Sequence, residues 1–390
     1  MNSRHHTLAL IALAALTIYV LACRPSFSPD GSKVLFPCLD PETQSASVVL
    51  YDRATRKSER IFALPGVGGL KESPVLSAQW TPDGKQAIVI WHDEDRKSFQ
   101  VAVLPLGSRN PTRFFQVPYA KGKTNSSGDF AWMGLVIPPP IVGRYLFLGG
   151  ESILRLDLET GETKTEKISQ EGIYLTSEGG RIYYFTGDDD EAEIGRLDTE
   201  KLARTPLLEL KAKDHGEEFS PFLSFTKDAS RIAVTRGKEA SSQLLIYRGR
   251  ELEKTIPIGS EKQPITLGNT LWSPDGRMIY AAAVLKPAEP SKDFQFVVCE
   301  IPVQGGDIRI IPLFLTEGSK GLDDMAYLFF QIALSPDGKT LAASFPFQEQ
   351  EKVKAEDRAL FLVNLTSRPP KVTRIPIQLA PISKSAVQKK

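Results

Sequence analysis

Four histidines and three cysteines are all the imidazole and thiol that this 390-residue chain holds. His5 and His6 precede an apolar run near the start. That leaves His92 and His215, each in charged text (WHDEDRK, AKDHGEEF), where they read as surface residues. A Ser-His-Asp arrangement would need one of them as its base, and no G-x-S-x-G elbow supplies the nucleophile. Zinc needs Cys and His clustered at short spacing, and no such cluster occurs. The run Asp188, Asp189, Asp190, Glu191 and Glu193 is rich in oxygen but lacks the alternating spacing of a calcium loop. A solvated acidic loop accounts for it better. GVGG at 66–69 follows Pro65 with no helix pattern behind it, so it does not make a phosphate cradle. No catalytic, cofactor-binding or metal-ligating residue is assigned. Paired carboxylates lining a channel, as in a glycoside hydrolase or lyase, stay open, because sequence alone cannot bring them together.

Cys23 is the exception. Arg4 stands ahead of an apolar run from Leu8 to Ala22 that ends in VLAC. The run is short for a membrane-spanning helix, which needs roughly 20 residues. A basic start and apolar core are those of an export signal. A small residue before Cys resembles the lipobox of bacterial lipoproteins, although Val20 and Leu21 depart from its usual pattern. The resemblance implies cleavage before Cys23 and its acylation as the first mature residue. The alternative is a plain signal or an uncleaved anchor. Cys38 and Cys299 then remain, and the repeat phase places them in units that are not neighbours. A bridge needs Cα atoms within about 7 Å, so both read as buried free thiols.

Composition is that of a folded protein, 41% hydrophobic and 24% charged. Removing residues 1–22 deletes one basic residue and leaves 47 basic and 47 acidic ones. A neutral chain offers no field for nucleic acid. Trp80 and Trp272 sit in strand text just before turns, which suits core packing rather than a stacking platform.

The elements that organise the chain are repeats. FSPDGSKVLF, WTPDGKQAIV, WSPDGRMIYA and LSPDGKTLAA carry one pattern: a strand, a tight turn, a strand. Pro presets φ in the turn, Asp suits the next position, and Gly takes the left-handed one. YLTSEGGRIYYF aligns Glu178-Gly179 with Asp-Gly. SFTKDASRIAVT keeps Asp228 but has Ala229 where Gly belongs. PPPIVGRYLFLGG is the weakest copy. Seven marks result, spaced about 51 residues apart, in the range of propeller blades. Two further strands follow each turn, giving four per repeat. Six or eight blades stay open because the third copy is weak. Charged inserts after the second strand (92–98, 186–195, 286–293 and 346–358), with a longer excursion at 105–130, would decorate the face opposite the turns, either as a binding surface or simply as solvated loops.

The W-S-P-D-G-K/R pattern followed by an apolar strand resembles the TolB-type, WD-repeat-like β-propeller family, whose repeats also occur beside peptidase domains. The resemblance implies an all-β fold of four-stranded antiparallel blades. It divides the chain into a signal peptide (1–22), one propeller domain (23–380) and a polar tail (381–390). It also implies a non-catalytic protein-binding or scaffold module with an envelope protein partner, held to a membrane through a lipidated Cys23, and no cofactor. A propeller enzyme and a small-ligand-binding propeller are the rivals, since this fold hosts all three roles.

Overall fold

The computed structural model describes residues 24–39, 46–64, 76–93, 96–108, 110–118, 137–168, 172–187, 191–211, 218–220, 222–238, 241–260, 262–285, 294–316, 330–344 and 359–376. The expected signal, Cys23, His215, Asp188–Asp190, the inserts at 286–293 and 346–358, and the tail 381–390 lie outside these residues.

Seven antiparallel blades follow one another along the chain. Blade 1 comprises Ser26–Phe27, Lys33–Leu39, Ala46–Asp52 and Lys57–Ala63. Blade 2 comprises Leu76–Trp80, Gln86–Asp93, Ser98–Pro105 and Arg113–Pro118. Blade 3 comprises Ile141–Val142, Tyr145–Leu148, Ser152–Asp157 and Thr163–Lys167. Blade 4 comprises Tyr174–Glu178, Arg181–Gly187, Glu191–Leu197 and Arg204–Lys211. In blade 5 the inner strand is split into Glu218–Phe219 and Ser224–Phe225, before Arg231–Lys238, Ser241–Arg248 and Glu251–Ile258. Blade 6 comprises Ile265–Trp272, Met278–Leu285, Phe294–Pro302 and Arg309–Thr316, and touches blade 5 by one parallel pairing, Ser241 with Ile265. Blade 7 comprises Gln331–Leu334, Thr340–Ser344, Ala359–Asn364 and Lys371–Pro376. No helix occurs among the described residues.

The core is not one mass but seven apolar clusters, one at each junction between blades. Gln86–Asp93 shows why the middle strands read as continuous apolar runs. Ala87 and Val89 point into the cluster shared with blade 1, while Ile88 and Ile90 point into the one shared with blade 3. Successive strand residues face opposite sides, and here both sides are covered. The outer strands show the opposite logic: Thr163–Lys167 is exposed throughout and charged, which blunts an open sheet edge.

Every blade is built from one continuous segment, and among the described residues no strand from the end of the chain completes the first blade. The ring closes by side chains instead. Val34, Phe36, Cys38, Val49 and Tyr51 of blade 1 pack on Ala342 and Leu360 of blade 7. The Arg53 guanidinium donates to Gly31 O (2.6 Å) within blade 1 and to Thr340 Oγ1 (2.8 Å) across the seam. Elsewhere, basic side chains cap a neighbour's turn in the same way: Arg113 on Leu158 O (2.8 Å), Arg155 on Thr199 O (2.9 Å) and Lys254 on Val303 O (2.9 Å).

The repeated turn explains its own spelling. Ser28 Oγ donates to Asp30 Oδ1 (2.6 Å) and accepts the Lys33 N–H (2.9 Å), while Asp30 Oδ1 accepts the Ser32 N–H (3.0 Å). The hydroxyl–carboxylate contact recurs between Thr81 and Asp83, Thr226 and Asp228, Ser273 and Asp275, and Ser335 and Asp337. Pro and Gly also serve between blades. A β-carbon placed on Gly84 would meet Pro29 Cδ at 3.1 Å, and one on Gly338 would meet Pro274 Cδ at 2.7 Å. On Gly31 it would meet Pro336 Cδ at 3.4 Å, across the seam. Pro29, Pro274 and Pro336 therefore each rest on the glycine of the following blade.

Two expectations are revised, and a third point is settled between its alternatives. Glu178-Gly179 is not equivalent to Asp-Gly: Glu178 ends a strand paired with Arg181, and Gly179-Gly180 form a two-residue loop, both at positive φ. Ala229 keeps the turn and carries the left-handed conformation itself. It takes φ 58° in the usual one, and the turn of blade 4 beside it has no proline to exclude its methyl. The insert at 186–195 is mostly strand and that at 92–98 is strand at both ends, because pairing runs out to Gly187–Ala192 and Asp93–Ser98. The excursion at 105–130 likewise begins with a hairpin that pairs Val103 with Arg113.

Candidate functional site: the central channel

The inner strands surround an axial cavity of about 500 Å³. Its lining runs from Arg24 and Gln331, near the start of the inner strands, to Lys227, Pro274 and Pro336 in the turns. The wall is tied together between blades. Asn269 makes a paired amide contact with blade 7, donating to Ile332 O and accepting the Ile332 N–H, both at 2.9 Å. Gln79 donates to Pro139 O (2.7 Å), and Ser224 and Thr270 share a hydroxyl contact (2.8 Å). Trp80 and Trp272 are buried, and their indole N–H groups donate to Ser26 O (2.9 Å) and Ser224 O (3.3 Å) of the preceding blade. Such pairing is what buried polar groups require.

Three ionisable side chains line the channel among the described residues: Arg24, Glu178 and Lys227. Burial pushes the Glu178 carboxyl above its ordinary range, opposed by the Gly179 N–H and the charges of Arg24 and Lys227. Burial lowers the Arg24 pKa, and the charge of Glu178 acts against that. Arg24 makes no hydrogen bond or ion pair with the described residues.

Around the mouth stands the ring of turns. Pro29, Pro82, Pro274 and Pro336 are exposed, as are Asp30, Asp83, Asp228, Asp275 and Asp337. The Ser28 and Thr226 hydroxyls, with backbone N–H groups, hold Asp30 and Asp228 down to about 2. The other three carboxylates are lowered by the same contacts. Lys85, Arg277 and Lys339 alternate with them, also exposed.

The sequence candidates fall elsewhere. His92 is half-buried on a strand with its ring edge toward Phe99, not on the open surface. Glu191 pairs with Lys211 (3.1 Å), and Glu193 accepts a hydrogen bond from Tyr184 (2.7 Å). No group of three or more His, Cys, Asp or Glu suited to a metal occurs among the described residues. Cys38 and Cys299 are buried in blades 1 and 6 and are not bridged to each other, and burial pushes the Cys299 thiol up to about 12. Sequence reasoning missed Arg24, Asn269 and Gln331. Polar residues within otherwise apolar inner strands (AQW, GNTLW) are the signal that marks channel-facing positions.

Fold and channel together define the class: a seven-bladed β-propeller. No family profile and no curated protein matches the chain. Solved structures of similar fold include the β-propeller domain of Myceliophteria thermophila Cps50 (Swd1), at 13% identity and TM-score 0.52, covering 83% of this chain and 93% of that one. Kluyveromyces lactis Hsv2 is similar at 12% identity and TM-score 0.51, covering 90% and 96%. TolB from Acinetobacter baumannii is similar at 14% identity and TM-score 0.46, covering 74% and 65%. At these identities the similarity to the first two shows the fold alone.

Proposed function

We propose that this protein is an exported, lipid-anchored propeller that binds a protein partner at the bacterial cell envelope and performs no covalent chemistry. The observation that carries the reading is the ring of turns. Five turns with the same hydroxyl–carboxylate lock, four of them presenting an exposed proline, form a rigid surface of alternating charge around the channel mouth. A surface fixed before binding loses little conformational entropy when a partner docks.

The anchor gives this surface a direction. Consecutive Cα atoms are about 3.8 Å apart, so a lipidated Cys23 stands one step from Arg24 on the channel wall. The bilayer then adjoins the face at which the chain enters the ring, and the turns point away from it. A single acyl chain holds only marginally, so stable anchoring rests on several.

The test is metabolic labelling with a palmitate analogue, with the N-terminal peptide measured by mass. An acylated peptide beginning at Cys23, lost in Cys23→Ser, supports the anchor. An unmodified chain starting elsewhere refutes it.

A further inference from the structure

Arg24 brings a guanidinium with five N–H donors into the channel, yet none of them meets an acceptor among the described residues. The side chain is half-buried and its donors reach the solvent of the channel, where an incoming acceptor would replace water. Glu178, three blades away, interacts with Arg24 only through charge. Lys227 adds a second cation to the lining, so two positive groups face one carboxylate. The excess is one positive charge when all three are ionised. The remaining wall is mixed: Phe222, Leu271 and Trp272 are apolar, and Thr270 and Gln331 are polar. A volume of about 500 Å³ lies within the range of small-molecule sites, roughly 300–1,000 Å³.

We propose that the channel binds a small organic monocarboxylate with an apolar body, its carboxylate held by Arg24 and assisted by Lys227. A planar guanidinium matches a carboxylate with two parallel hydrogen bonds. One negative charge balances the lining, whereas a dianion would leave one charge of the ligand uncompensated in the channel. The apolar body would lie along Phe222, Leu271 and Trp272. This inference stands apart from the anchor and the protein partner, and either can fail without the other.

The experiment is a thermal melt and calorimetric titration of the full chain with phenylacetate, phenylacetamide and inorganic phosphate. Ligands that bind only the folded form raise the melting temperature with concentration. Phenylacetate is expected to bind and stabilise, and the neutral amide and phosphate are not. Arg24→Gln should weaken phenylacetate by ~10- to 100-fold, the worth of a charge-assisted contact, while melting no lower than the parent without ligand, because it removes an unpaired charge. Lys227→Gln, an exposed change that leaves the fold intact, should weaken binding less. Absence of phenylacetate binding, equal stabilisation by the amide or by phosphate, or full affinity in Arg24→Gln would each overturn the proposal. An unliganded Arg24→Gln protein that melts well below the parent would also overturn it, since the guanidinium would then be a structural strut.

Discussion

Phe36→Ala tests how the ring is closed. Phe36 is 1% exposed and lies in the seam cluster between blades 1 and 7, which has seven buried residues, the fewest of the seven clusters among the described residues. Its whole ring is removed from water, so the full cost of a buried Phe truncation applies, ~3–5 kcal/mol. That is a large share of the ~5–15 kcal/mol of a typical domain. Phe147 is the matched control, equally buried at the junction of blades 3 and 4. Among the described residues no strand is shared across the seam, so the ring can open there without bending the chain between adjacent blades. Urea unfolding should give similar losses for the two variants. Hydrogen exchange read by mass spectrometry should differ. Phe36→Ala should lose protection first in blades 1 and 7, and Phe147→Ala should leave those two blades no worse than the rest. A Phe36→Ala cost below ~1 kcal/mol, or the same exchange pattern in both variants, would refute closure by side-chain packing.

Further outcomes are expected for the turns, the channel wall and the buried thiol. Ala229→Gly should stabilise by ~1 kcal/mol, since φ 58° is costly for a residue with a β-carbon, whereas Gly338→Ala should destabilise because its methyl would strike Pro274; both are read from urea midpoints. Asn269→Ala should lower stability by ~1–3 kcal/mol for each backbone group of Ile332 left unpaired, measured in the same melts. The carboxyls of Asp30 and Asp228 sit at about 2 when folded, below the unfolded value near ~3.9. Their contribution is therefore full above pH ~4 and lost as pH falls through the folded value, so Asp30→Asn with Asp228→Asn should flatten acid unfolding between those limits. Cys299, with its thiol pushed up to about 12, should resist a thiol reagent at pH 8 until urea unfolds the chain; reaction of the native protein at the rate of a free thiol would contradict its burial.

The blades were legible because each carries its own local signals: a Pro-Asp-Gly turn, apolar strands on either side, and a second hairpin. The weak copies were harder for a physical reason. In blades 3 and 4 the inner hairpin closes with two residues, Gly143-Arg144 and Gly179-Gly180, so the hydroxyl, proline and aspartate of the longer turn have no place there. Charged text misled at Glu191 and Glu193, since a strand tolerates charge on an outward or partnered position and the eye reads it as loop. The channel was largely hidden. Arg24 meets Glu178 across 154 positions of chain, and only the ring brings them to one axis. The turn ring was half visible: its residues were plain, but the rest of proline on the next blade's glycine depends on closure.

Site-specific photo-crosslinking in cells tests the central claim most directly. The crosslinker is placed at Lys85, exposed on the turn face, and at Lys97, exposed in the loop on the opposite face of the same blade. A discrete envelope-protein adduct from position 85, absent from position 97, is the result this account expects. An adduct from position 97 alone, or none from either at full expression, would contradict it.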